Sequence, residues 1–265
     1  MLQGAAPRTS NPIIAIGQLR MHWSIEANMA SMLRAIEFAH GQGATLCAFA
    51  ELAITGFHRE IVALAKPELI APEVARLQAL CAKLKMAVAV GAPTFAGADA
   101  RYNSHLFINE RGELAGEVSK VGLTAPEATF FRPGVLRAVV TMQGQRCTAV
   151  ICREIEDHAA IGAQLPRGSV DIVLWPGQMR PDPDKPVVDP PEHVQEAQRL
   201  AAELNAYLVQ TNWPNALNRP EESEHTGHSA VIAPDGELLF RLPEQASGLG
   251  LFTLGTRSFV WHPRP

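Results

Sequence analysis

The chain has 265 residues, 47% hydrophobic and 19% charged, enough to bury roughly three quarters of its unfolded surface, so intrinsic disorder is excluded. Its 20 Gly and 20 Pro follow no period, which excludes a fibrous protein. The net charge is −4 and no basic stripe stands out, which argues against nucleic acid or an anionic membrane as partner. No run reaches the ~18 apolar residues of a membrane span. Residues 1–11 lack the apolar core of a secretory signal and read as a loose tail. Four cysteines, none in a Cys-x-x-Cys pair, are too sparse for a disulfide scaffold, and a reducing cytoplasm fits them best.

In chain order, Ile13 to Leu19 reads as a first strand. A helix follows with Ile25, Met29, Met32, Leu33 and Ile36 on one face, Ser24 as N-cap and Gly41 or Gly43 as stop. Thr45 to Ala50 is a buried strand that ends at Glu51. A second helix begins at Pro72, places Val74, Leu77, Leu80, Cys81 and Leu84 on one side, and leads into the strand Ala87–Val90. Asn103–Asn109 and Glu113–Lys120 form a hairpin around Glu110-Arg111-Gly112, and Ala138–Met142 with Cys147–Ile151 a second pair around Gly144. A helix near 156–165, the strand Val170–Leu174, a helix over 191–204 and the strand Tyr207–Gln210 come next. A hairpin of Ser229–Ile232 and Glu237–Phe240, turned by Pro234-Asp235-Gly236, closes the series. Parallel βαβ units thus flank a block of hairpins, an α/β chain with helices outside a mixed sheet. Pro176 to Pro191, with six prolines in sixteen residues, reads as a long surface loop.

Three polar residues stand where apolar strands stop. Glu51 lies between Phe49-Ala50 and Leu52-Ala53-Ile54, where a carboxylate faces a cleft, caps the following turn, or is a costly buried charge. Lys120 ends its strand, where a solvated surface lysine is the default. Cys152 closes Ala149-Val150-Ile151 and opens Arg153-Glu154. A strand-to-helix turn presents a nucleophile outward, and one more core cysteine is the plain alternative. Singly, none of the three decides.

Together they form a pattern. Phe49-Ala50-Glu51-Leu52-Ala53-Ile54-Thr55-Gly56-Phe57 is followed by Ser119-Lys120-Val121-Gly122-Leu123, with Glu127 and Arg132-Pro133-Gly134, and then by Val150-Ile151-Cys152-Arg153-Glu154. This order resembles the nitrilase superfamily of carbon–nitrogen hydrolases, as do Trp175-Pro176-Gly177, Thr211-Asn212-Trp213 and Gly227 to Gly236. The resemblance spans roughly residues 12 to 255. It implies a four-layer αββα sandwich, a single domain over 12–265, and a Glu-Lys-Cys set. In that set Glu51 is the general base, Lys120 the oxyanion stabiliser and Cys152 the nucleophile, while Glu127 falls at a supporting glutamate. It implies no metal and no organic cofactor, and a homodimer or larger homo-oligomer.

The chemistry is coherent by itself. An ordinary thiol is only a few per cent thiolate at pH 7 and needs a neighbouring base or cation. A unit charge at about 4 Å is worth roughly 4 kcal/mol at an effective dielectric near 20, so Glu51 and Lys120 nearly cancel in their effect on a thiolate. Glu154, Glu156 and Asp157 disfavour it further. Cys152 is therefore expected to rest protonated and to pass its proton to Glu51 during attack, with Lys120 and the Arg153 N–H holding the oxyanion. A Cys–His pair using His158, His225 or His228 would leave the Glu and Lys motifs unexplained. His225 and His228 without a third ligand are a weak metal signal.

The expected reaction converts a small linear amide to a carboxylic acid and ammonia through a thioester. N-carbamoyl amides and nitriles are the alternative substrates, and a catalytically silent binding protein is the alternative of another class. Arg153, Trp175, Gln178 and the proline-rich loop are expected on the substrate side, with Arg153 or Arg180 favouring an anionic substrate. Ala50, Val121-Gly122 and the run Glu154 to His158 depart from common family patterns and leave the branch open.

Overall fold

The computed structural model describes residues 11–97, 100–182, 184, 186 and 188–263, so the expected tail lies, but for Asn11, outside the described residues. Two sheets stack face to face. The first holds seven strands in the order β13-β12-β1-β2-β3-β4-β5: β1 (Ile13–Gln18), β2 (Leu46–Ala48), β3 (Ala87–Ala96), β4 (Ala100–Ile108), β5 (Leu114–Ser119), β12 (Gly248–Thr253) and β13 (Ser258–Pro263). The second holds six in the order β11-β10-β9-β8-β7-β6: β6 (Val140–Met142), β7 (Gln145–Ala149), β8 (Ile172–Gly177), β9 (Tyr207–Asn212), β10 (Ala230–Ile232) and β11 (Leu238–Arg241). Helices α1 (Ile25–Gly41) and α3 (Pro67–Leu84) cover the outer face of the first sheet, with the single turn α2 (Ile61–Leu64) before α3. Helices α4 (His158–Gln164) and α5 (Glu192–Leu204) cover the second. The four-layer αββα sandwich expected from the sequence is the architecture observed.

Strand alternation builds the layers. Ile14 and Ile16 of β1 point between the sheets while Ala15 faces the helices. Likewise Ile172 and Leu174 of β8 face inward, and Val173 and Trp175 face α5. Strands buried on both faces carry near-continuous apolar runs, which is why β1, β2 and β8 were legible as runs rather than as alternations. Ser24 caps α1, its hydroxyl accepting from the Ala27 N–H at 3.2 Å.

Three expectations are corrected. Helix α3 starts at Pro67, not Pro72: Pro67 fills a first-turn position where its missing N–H costs nothing, and buried Ile70 extends the apolar stripe toward the N-terminus. The proline-rich loop starts at Gln178, because Pro176 and Gly177 belong to β8 and pair with Thr211 and Asn212 of β9. Strands β12 and β13 were not foreseen, since Gly248 and Gly250 break the apolar signal of β12. Those glycines exist for packing: a Cβ there would collide with Trp261 and Phe259 of β13.

Candidate active site

Glu51 follows β2, and the turn that holds it is fixed on both sides. The Trp213 indole donates to the Glu51 carbonyl at 2.9 Å, and the Thr211 hydroxyl donates to the Phe49 carbonyl at 2.8 Å. Gly91 of β3 lets this turn approach, since a Cβ there would lie 2.2 Å from the Leu52 nitrogen and 2.5 Å from the Ala50 oxygen. Lys120 directly follows β5, its N–H bonded to the Asn103 carbonyl at 2.8 Å and its carbonyl accepting from Gly134 at 2.7 Å. Cys152 opens a 3-10 turn, Cys152–Glu156, beyond β7, and the Trp175 indole donates to its carbonyl at 2.9 Å. Cys152 has φ 55° and Leu52, next to Glu51, has φ 52°, a left-handed backbone that non-glycine residues adopt at a cost.

These three segments bring their side chains into one buried cluster. Lys120 Nζ donates to Glu51 Oε1 at 2.8 Å and to both oxygens of Glu127, at 2.8 and 3.0 Å. Asn103 Nδ2 donates to Glu51 Oε1 at 2.7 Å and to Glu127 Oε1 at 3.1 Å. The Thr124 N–H and hydroxyl both donate to Glu127 Oε2 at 2.9 Å. One Glu51 oxygen is therefore doubly bonded, whereas Oε2 is buried with no hydrogen-bond partner among the described residues. The Cys152 thiol lies within electrostatic reach of Glu51, Lys120 and Glu127.

The charges follow from burial and pairing. Burial raises the Glu51 carboxyl above its ordinary range, and Lys120 only partly opposes this. Burial also works against ionisation of Glu127, but Lys120 and Thr124 outweigh it and hold that carboxyl low. Lys120 is likewise penalised by burial, yet Glu51, Cys152 and Glu127 keep it firmly protonated. Burial, then the Glu51 carboxylate, pushes the Cys152 thiol up to about 12, against the opposing pull of Lys120 and a hydrogen bond from the Gln178 N–H. The resting thiol is neutral.

The residues expected on the substrate side are placed differently. Trp175 is wholly buried, packed under α5, and its indole N–H is taken by the Cys152 carbonyl. Gln178 reaches the site through its N–H; its side-chain amide donates to the Asn215 carbonyl at 3.3 Å. Arg153 pairs with Asp157 at 2.9 Å and Arg180 with Glu222 at 3.4 Å, so each guanidinium already has a carboxylate. His158 faces Glu196 and Glu203, while His225 and His228 both face Glu244. Among the described residues no group of three or more His, Cys, Asp or Glu converges to hold a metal ion, and no helix is long and apolar enough to cross a membrane.

Glu154, expected as a neighbour that disfavours a thiolate, has a wholly buried carboxylate with partners of its own. It accepts from the N–H groups of Val121 (2.7 Å), Gly122 (2.8 Å) and Ile151 (2.7 Å), and from Arg137 at 2.8 Å. One side chain thus ties the segment after Lys120 to the residue before Cys152. Two clefts border the cluster. One of about 380 Å³ is lined by Leu52, Phe57, Phe130, Phe131 and Glu127. The other, of about 160 Å³, is lined by Met179, Glu156, Arg180 and His193, and Met179 Sδ lies 3.5 Å from Cys152 Sγ.

Residues 13–255 match the family model described as carbon-nitrogen hydrolase. In the amidase from Nesterenkonia sp. AN1, a double mutant in complex with acrylamide superposes with a TM-score of 0.78 at 23% identity, covering 95% of this chain and 93% of that one. A single mutant of that enzyme in complex with butyramide gives 0.79 at 23% identity, with 96% and 95% covered. The glutamine-dependent NAD(+) synthetase of Acinetobacter baylyi is 27% identical over 236 residues, which make up 87% of this chain but only 42% of that protein.

Proposed function

Because this chain belongs to the carbon–nitrogen hydrolase family, we propose that it is a cysteine-dependent amidase that converts a small linear amide to a carboxylic acid and ammonia. The observation that carries this reading is the buried cluster of Glu51, Lys120, Glu127 and Cys152, in which one Glu51 oxygen is left without a partner. The small amides bound by the Nesterenkonia enzyme support the choice of amide over nitrile.

In the proposed reaction Cys152 Sγ attacks the amide carbonyl carbon as its proton passes to Glu51 Oε2. The carbonyl oxygen takes up the electron pair and is held by the Lys120 ammonium and the Arg153 N–H. Such a donor is worth ~3–4 kcal/mol in the transition state. The Gln178 N–H bonds the resting thiol itself. The tetrahedral adduct collapses with breakage of the C–N bond, Glu51 delivers its proton to the nitrogen, and ammonia departs. Glu51 then deprotonates water, the water attacks the thioester, and the C–S bond breaks to release the acid and restore the thiol. Glu127 keeps Lys120 charged and aimed throughout, as its two contacts with Nζ indicate.

Ammonia release from primary amides, N-carbamoyl amines and nitriles, followed against pH, tests the reading. Amides are expected to turn over fastest. The acid limb of kcat/KM reports Glu51 losing its proton, so activity rises with pH through an inflection above the ordinary glutamate value of 4.5. A profile that instead keeps climbing beyond the ordinary thiol value of 9.0, toward the raised value of about 12, would mean that a free thiolate, not the Glu51-coupled thiol, limits the rate.

A further inference from the structure

The acyl group of a thioester is bonded to sulfur, so whatever side chain touches Cys152 Sγ competes with it for space. That side chain is Met179, with Sδ 3.5 Å from Sγ. Its backbone is clamped: the Met179 N–H donates to Asn212 Oδ1 and Asn212 Nδ2 donates to the Met179 carbonyl, both at 2.7 Å. Its side chain packs on both the inter-sheet core and the core beneath α5, and it walls the 160 Å³ cleft. Gly177 leaves the room this requires, since a Cβ there would lie 3.2 Å from Cys152 Cα and 3.3 Å from Met179 Cγ. A pinned backbone bearing an unbranched side chain with three rotatable bonds is suited to a movable wall.

We propose that Met179 sizes the acyl group of the substrate: short aliphatic acyl chains fit beside it, and longer ones enter only by displacing its side chain toward the neighbouring cleft. The assignment rests on Cys152 being the residue that carries the acyl group. The larger apolar cleft borders Leu52 and Glu127, whereas Met179 stands at the sulfur itself, to which the acyl carbon bonds.

Two variants should move selectivity in opposite directions. Met179→Ala widens the site and Met179→Phe narrows it. The ratio of kcat/KM for hexanamide over acetamide is expected to rise about tenfold or more in the first and to fall in the second, the scale on which pockets discriminate methylenes. Because the directions are opposite, either variant alone, folded by circular dichroism, reads the effect. A parallel assay needs no turnover: alkylation of Cys152 by 2-chloroacetamide and 2-chlorohexanamide, in which sulfur displaces chloride, is followed by intact mass with Cys152→Ala as blank. The rate ratio of the two reagents should shift in the same directions. If alkylation shifts while no amide is hydrolysed by any form, the amidase reading fails and the sizing role stands. If amides are hydrolysed and neither ratio changes by more than about twofold, the role of Met179 is overturned.

Discussion

Cys152→Ala is expected to lower amide hydrolysis by about 10⁴-fold or more while leaving the fold in place. The fall is this large because, without sulfur, the thioester route closes and only binding and oxyanion stabilisation remain. Stability should hardly change. The substitution removes one neutral thiol that is 9% exposed, keeps the Cα–Cβ geometry at φ 55°, and leaves the carbonyl bonded to Trp175. Urea unfolding of the variant within about 1 kcal/mol of the parent, together with lost ammonia release, is the expected pair of results. Retained turnover would remove Cys152 from the reaction.

Glu154→Ala should have the largest effect on stability. The substitution strands the Arg137 guanidinium, whose side chain is 1% exposed, and leaves the N–H groups of Val121, Gly122 and Ile151 without their acceptor. Breaking a buried ion pair from one side costs about 3–5 kcal/mol, because the remaining charge stays desolvated. Glu154→Gln, which keeps the shape but turns one acceptor into a donor facing N–H groups, should lie between the alanine variant and the parent. Since Glu154 links the Lys120 segment to the Cys152 turn, kcat should fall in the folded Gln variant as well. A loss of stability below about 1 kcal/mol in Glu154→Ala would contradict this role.

Much of the architecture was legible because it rests on local patterning. Apolar runs of strand length alternating with helical stripes are visible in a single sequence, and they placed the stops at Glu51, Lys120 and Cys152 in the right order. What stayed hidden is what the site owes to distant partners. Asn103 reaches Glu51 across 52 positions and Trp213 reaches it across 162, and nothing in a strand such as Asn103–Asn109 marks its first residue as a carboxylate clamp. Glu154 is a further case: sequence proximity to Cys152 suggested an electrostatic neighbour, and nothing local marks it as the acceptor of three N–H groups and Arg137. Trp175 was expected to meet substrate from its place at a strand end. Strand alternation instead puts it on the helix-covered face. The glycines of β12 concealed a strand, and the room they leave is filled by the Trp261 and Phe259 rings of β13.

In the proposed reaction Cys152 carries the acyl group and Glu51 moves the protons. Intact-mass analysis of Glu51→Gln after addition of a nitrophenyl ester of a short carboxylic acid tests it most directly. The nitrophenolate leaves without a proton and needs no general acid; with the Glu51 carboxylate gone, its upward push on the Cys152 thiol is removed while the opposing pull of Lys120 remains, so the thiol can give its proton to solvent, whereas hydrolysis of the thioester lacks its base. An acyl adduct should accumulate on the peptide containing Cys152 in Glu51→Gln and be absent in Cys152→Ala. An adduct on another residue, or acyl release from Glu51→Gln as fast as from the parent, would contradict it.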